Sequence, residues 1–251
     1  MTDIAAGAAA PDDLFATTST SASQFSWSAE AKSISGNWLK FSFYLFMLAH
    51  AVNILILVVM LWTFQILEQG GGIEDPTFAL VITSLGSFAQ LLPAIMIGTF
   101  VFCTILYLMF VYRAAKNLEL SKARGISISP GAAVGWSFAP FINFVTIYNV
   151  MKEIWVASQD PGKGTRPATI RLILWWGLYL AGNVMARGSD AMVPVDAGED
   201  ATAYLDLYLP GSAVGMLASL TSIVSTVILH TIITDIVRAQ NLLRSTSVFE
   251  D

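Results

Sequence analysis

From Gly131 to Met151 the chain carries no charge, a run long enough to cross a bilayer core of about 30 Å. Yet Pro130, Gly131, Gly135 and Pro140 break it, and basic residues stand on both sides. In lipid, backbone that is not helical leaves N–H and C=O groups unpaired, at several kcal/mol each. The segment Ser129–Ser158 must therefore be covered by other helices or reach water. That requirement makes it the piece around which the remaining helices are expected to pack.

Those helices are plentiful. Hydrophobic residues make up 55% of the 251 residues and charged ones only 12%, against about 25% charged in soluble domains. The first span is expected at about Trp38–Ile66, closed by Gly70-Gly71-Gly72. Asp75-Pro76 then restarts a helix, with a capping residue and Pro at the first position. The pattern from Pro76 to Leu120 would reach about 67 Å as one helix, twice the membrane. Pro93 is expected to divide it into an interfacial or tilted piece, Thr77–Gln90, and a second span, Pro93–Tyr112. A third span is expected at about Ala168–Ala186, and Pro210-Gly211 introduces a fourth, Ser212 to about Val237.

The lysines and arginines orient the chain, because cytoplasmic segments are enriched in them. With both termini inside, Lys32, Lys40, Arg113, Lys116, Lys122, Arg124, Lys152, Lys163, Arg166, Arg171, Arg238 and Arg244 share the cytoplasm, and only Arg187 lies outside. Were Ser129–Ser158 a fifth span, that alternative would erase the bias. The expected fold is thus all-α and integral to the membrane, with four transmembrane helices plus a Pro/Gly-broken re-entrant or interfacial segment. Residues 36–245 form one membrane-embedded domain. Residues 1–35, rich in Ala, Ser and Thr, and residues 246–251 read as cytosolic tails. The first of these lacks the basic and apolar regions of a cleaved secretory signal. Phe25 and Trp27 are its candidate contacts with a partner.

The middle block resembles a known family. Tyr112-Arg113-Ala114 with Asn117, then Ser129-Pro130-Gly131, Ala133 and Gly135-Trp136, begin the likeness. Pro140-Phe141, Asn143, Tyr148, Met151, Glu153-Ile154-Trp155 and Ala157-Ser158 continue it, and Trp175-Trp176 and Ile236-Val237-Arg238 with Gln240 extend it. The chain is similar over about residues 38–245 to the bacterial multi-span membrane family known as domain of unknown function 4328. That family's pattern has Trp after Ser-Pro-Gly, where this chain has Ala132. It also has an Arg-Pro pair before the Tyr, where Thr146-Ile147 stand. The resemblance implies a bacterial inner-membrane protein and carries no known reaction or ligand.

Few residues look chemical. His50 and His230 are the only histidines, and their distances from Lys40 and Arg238 suggest similar depth. A shared haem, metal or proton-relay site is conceivable, but two ligands without a carboxylate or Cys make a poor metal site. No cofactor is expected. Cys103 is the single cysteine, so no disulfide can form within the chain. Gly215, Ser219, Ser222, Thr226, His230 and Thr234 lie along one helical face, as expected of a helix–helix interface built from small and hydroxyl residues. Arg113 and Glu153 are expected to pair and pin the broken segment to the second span. Trp136, Tyr148, Trp155, Trp175 and Trp176 suit an interfacial aromatic belt. Gly162-Lys163-Gly164-Thr165 lacks the upstream glycine and strand of a phosphate-binding loop and reads as a turn.

No catalytic motif is present, and the net charge of -5 disfavours a nucleic-acid partner. The expected function is non-enzymatic: a protein that binds or scaffolds other membrane components. Membrane lipids, other membrane-protein subunits or further copies of itself are the expected partners. A small channel or transporter using residues 129–158 as a re-entrant element is the alternative. A lipid enzyme acting through Arg113 and Glu153 is the least favoured reading.

Overall fold

The computed structural model describes residues 28, 36–69, 76–139, 142–192 and 201–247. Every regular element among them is helical: α1 Asn37–Glu68, α2 Pro76–Leu120, α3 Pro130–Gly135, a 3-10 turn Trp136–Phe138, α4 Asn143–Gln159, α5 Ile170–Met192 and α6 Ala201–Ser247. Three helices are long and apolar enough to cross a membrane, over Asn37–Ile66, Phe78–Leu120 and Tyr208–Ser245. Apart from Ser28 and the helical Thr246 and Ser247, the expected tails lie outside the described residues, Phe25 and Trp27 included. The Ser28 N–H donates to Ser121 Oγ at 3.1 Å, so this one tail position rests on the end of α2.

Two prolines behave differently from expectation. Pro93 does not divide the Pro76–Leu120 segment; α2 runs through it as one 45-residue helix. Thr77–Gln90 is therefore the first part of that helix and not a separate interfacial piece. Pro210 likewise sits inside α6, which begins at Ala201 instead of at Ser212. A proline removes one backbone donor, a loss membrane helices absorb through local adjustment and neighbouring hydroxyls. The Thr83 and Ser87 hydroxyls donate to carbonyls four residues back, at 2.8 and 2.9 Å, in the turns before Pro93.

The long helices form an arc in the order α2, α1, α6, α5. In the α1–α2 pair, Ser42 Oγ donates to Cys103 Sγ at 3.5 Å, and the Phe46 and Phe100 rings lie 6.5 Å apart. α1 runs antiparallel to α6: Phe43 and Tyr44 meet His230, while His50 meets Ser219. α5 and α6 make the most extensive pairing. A Cβ on Gly182 would lie 3.2 Å from Ser222 Oγ, and Ser225 Oγ donates to the Trp175 carbonyl at 3.0 Å. Small residues permit that approach, and in lipid close packing and interhelical hydrogen bonds substitute for a hydrophobic driving force. α2 and α5, at the two ends of the arc, do not form a packed pair.

The broken segment closes one end of the arc. Ser129 Oγ accepts the Ala132 N–H and caps α3, and Pro130 takes the first helical position, where its missing donor costs nothing. α4 then packs against α2, α5 and α6. Both ends of the segment emerge at the same place. The Arg124 N–H donates to the Pro161 carbonyl at 2.9 Å, and Gly125 and Gly164 pass backbone against backbone at φ +85° and +65°. Asp160 accepts from the N–H groups of Lys163 and Thr165 and from the Thr165 hydroxyl, shaping Gly162–Thr165 into a turn. The start of α1 lies here too, since Gly36 approaches Lys40 and Val237. Of the described basic residues, only Arg187 belongs to the opposite end.

Candidate functional site

At the basic end, a buried polar cluster ties three helices together. Asn117 Nδ2 donates to Gln240 Oε1 at 3.3 Å, and Gln240 Nε2 donates to Ser158 Oγ at 2.9 Å and to the Ala114 carbonyl at 3.3 Å. All three side chains are buried, among Leu118, Met151, Ile154 and Ile236. Asn117 was visible in the sequence as a site residue. Gln240 and Ser158 stood only in the family likeness, because an amide on an otherwise apolar helix does not disclose its partner.

The expected Arg113–Glu153 pair does not form. The Glu153 carboxylate instead accepts from the Ser127 N–H at 2.9 Å and the Ser127 hydroxyl at 2.8 Å. It thus holds the loop before α3 onto α4, which serves the pinning role through a different partner. A backbone donor and a neighbouring hydroxyl satisfy the carboxylate without fixing a long guanidinium chain. Arg113 is exposed and has no acidic partner among the described residues. Among the described residues, an ion pair that does link helices is Arg171 with Asp235, between the start of α5 and α6. Asp235 went unremarked in the sequence because it falls inside the fourth apolar run.

The histidines do not share a site. His50 Nδ1 lies 3.2 Å from Ser219 Oγ, which also accepts from Asn53 Nδ2 at 2.9 Å. His230 packs on the Phe43 and Tyr44 rings, six to seven residues from His50 along α1. That is about 10 Å of depth at 1.5 Å per residue. Counting inward from flanking charges failed because Lys40 and Arg238 are not level: Gly36, one turn before Lys40, is the residue that meets Val237. The described residues contain no group of three or more His, Cys, Asp or Glu side chains that could hold a metal.

The aromatic residues divide as well. Trp155 and Trp175 are core residues, not belt residues, with the Arg166 guanidinium 5.8 Å from the Trp155 ring centre. Trp136 is exposed and Tyr148 partly buried against the core. A Cβ on Gly131 or Gly135 would meet nothing within 4 Å, so neither is needed for close approach. Pro140 lies outside the described residues, and of Asn143 only its place at the start of α4 is described.

A further feature is one the sequence did not disclose. Where α2 and α5 fail to meet, a cleft of about 520 Å³ opens from the middle of the arc. Phe100, Tyr107, Trp176 and Tyr179 line its walls, and Phe138 of the 3-10 turn reaches it. Trp176 and Tyr179 stack with centres 5.1 Å apart. Three polar side chains in the wall are engaged with the backbone: Thr226 donates to the Ser222 carbonyl, Ser225 to that of Trp175, and Asn183 to that of Tyr179. Its lining is mostly aliphatic and aromatic, the chemistry of an apolar binding surface.

No curated protein and no solved structure matches the chain. A family model does, over residues 79–238, from the beginning of α2 through the broken segment to the basic end of α6. That range takes in the Asn117 and Ser158 positions, the Ser127–Glu153 clamp, the loop clasp and both flanks of the cleft. It leaves α1 outside. The chain belongs to the family described as Domain of unknown function (DUF4328).

Proposed function

We propose that this protein crosses a bacterial inner membrane four times, through α1, α2, α5 and α6, and binds other membrane components without catalysing a reaction. The basic end faces the cytoplasm together with both termini, by the usual excess of Lys and Arg on that side. α5 supplies the fourth crossing. Its 23 residues span about 34 Å, and it lies antiparallel along α6. Residues 129–158 enter and leave on the cytoplasmic side, which the Arg124–Pro161 hydrogen bond supports.

The observation that carries the binding function is the unclosed flank between α2 and α5. An arc of four helices could have closed on itself. This one leaves an apolar cleft on its lateral side, where only lipid or another hydrophobic molecule can reach it. A channel or transporter needs a wet path along the axis instead. The packed cluster of Phe43, Phe110, Ile154, Leu172 and Ile232 counts against one.

Native mass spectrometry of the protein released from mild detergent tests this reading. A membrane component bound in fixed stoichiometry is the expected result, and a bare monomer under every mild condition refutes it. For topology, single cysteines in a Cys103→Ser background at Gln159–Arg166 should be inert to an impermeant periplasmic thiol reagent. Labelling there overturns the four-span arrangement.

A further inference from the structure

We propose that the cleft between α2 and α5 is a binding site for one acyl chain of an anionic phospholipid from the basic-end leaflet, with the lipid phosphate received by Arg113. This rests on the membrane-binding reading above and names its ligand.

Volume suits a lipid chain, since the cleft offers about 520 Å³. At about 30 Å³ for a water-sized group, the same space holds roughly 17 methylene-sized groups, one long acyl chain. Length agrees. On α2 the lining runs from Met96 to Leu108, about 18 Å, close to one leaflet of a hydrocarbon core of about 30 Å.

The wall is mostly apolar, and Thr226, Ser225 and Asn183 within it donate to backbone carbonyls. The headgroup position follows from continuity. Leu108 lines both the cleft and a shallow hollow formed with Ile105, Met109, Tyr112, Arg113 and Val134. Arg113 lies about 8 Å beyond Leu108 along α2, and it is the first charge after the uncharged run that begins at Pro76. It has no acidic partner among the described residues. A guanidinium at the hydrocarbon boundary matches a phosphate in charge and in fork geometry.

The test uses full-length protein exchanged into neutral detergent, then titrated with phosphatidylglycerol or phosphatidylcholine of identical chains and read by native mass spectrometry. One saturable phosphatidylglycerol per chain is expected, preferred about fivefold over phosphatidylcholine, the scale of one basic residue near a lipid surface. Arg113→Gln should abolish the preference and keep the residual binding, whereas Arg187→Gln at the opposite end should change neither. Thr104→Phe, which fills the cleft, should lower occupancy by both lipids. Independently of any variant, phosphatidylglycerol carrying a mid-chain diazirine should crosslink to peptides of α2 and α5. Equal binding of the two lipids, a graded series of adducts from annular lipid only, or an absence of crosslinks to both α2 and α5 would each overturn the proposal. A protein subunit retained in fixed stoichiometry through such a failure would leave the broader binding function standing.

Discussion

Replacing Gly164 by alanine tests whether the broken segment returns to the end it left. At φ +65° an alanine sits in the left-handed region, at a cost of about 1–2 kcal/mol. Its Cβ would also lie 2.8 Å from the Arg124 carbonyl carbon and oxygen and from the Gly125 nitrogen, all backbone atoms that cannot swing aside. Relief requires the two loops to part, which sacrifices the Arg124–Pro161 hydrogen bond, worth about 0.5–1.5 kcal/mol. Together these predict a loss of roughly 2–3 kcal/mol. At about 2–4 °C per kcal/mol for a chain of this size, Tm should fall by roughly 5–10 °C. Thermal unfolding in mild detergent, followed by circular dichroism, measures it. Gly131→Ala is the contrast: its added Cβ meets nothing, and alanine suits α3 better than glycine, so Tm should hold or rise slightly. If Gly164→Ala behaves like Gly131→Ala, the two loops are not in contact and the same-end reasoning fails.

Gln240→Leu should cost about 2–3 kcal/mol in the same assay, because it strips partners from Ser158, Asn117 and the Ala114 carbonyl inside a dry core. Ser219→Ala removes one hydroxyl shared by His50 and Asn53, and should cost only about 1 kcal/mol, the scale of interhelical hydrogen bonds in membranes. Asp235→Asn breaks the pair with Arg171, but both side chains are about a third exposed, so a loss of no more than about 1 kcal/mol is expected, shrinking further in high salt. Gly182→Val should force α5 away from Ser222 of α6 and destabilise more than Gly177→Val, whose surroundings are open. Equal effects at the two glycines would refute the close α5–α6 contact.

The helical character and the membrane-length runs were legible because uncharged stretches of that length have few other uses. The one-ended crowding of lysines and arginines was equally readable, since it needs only their order along the chain. Partner choice was not. Arg113 and Glu153 lie forty residues apart in the sequence, and nothing in composition says that Ser127 reaches the carboxylate first. Pro93 and Pro210 look like helix ends by the rules of water, yet in α2 and α6 they are interior residues. His50 and His230 were given similar depth by counting from Lys40 and Arg238, a ruler that assumes those two charges are level. The cleft was illegible for a deeper reason. It comes from two helices that fail to meet, and no residue marks a missing contact.

Cys103 has a practical consequence. It is the chain's only thiol, and it faces the cleft beside Ser42. Any thiol-directed label introduced there has one possible site per molecule, with no second cysteine to confuse the result. A small fluorophore or spin label at that sulfur would sense whatever occupies the space. Its signal should change when a guest enters or leaves, turning occupancy of a hidden lateral recess into something read directly in intact vesicles.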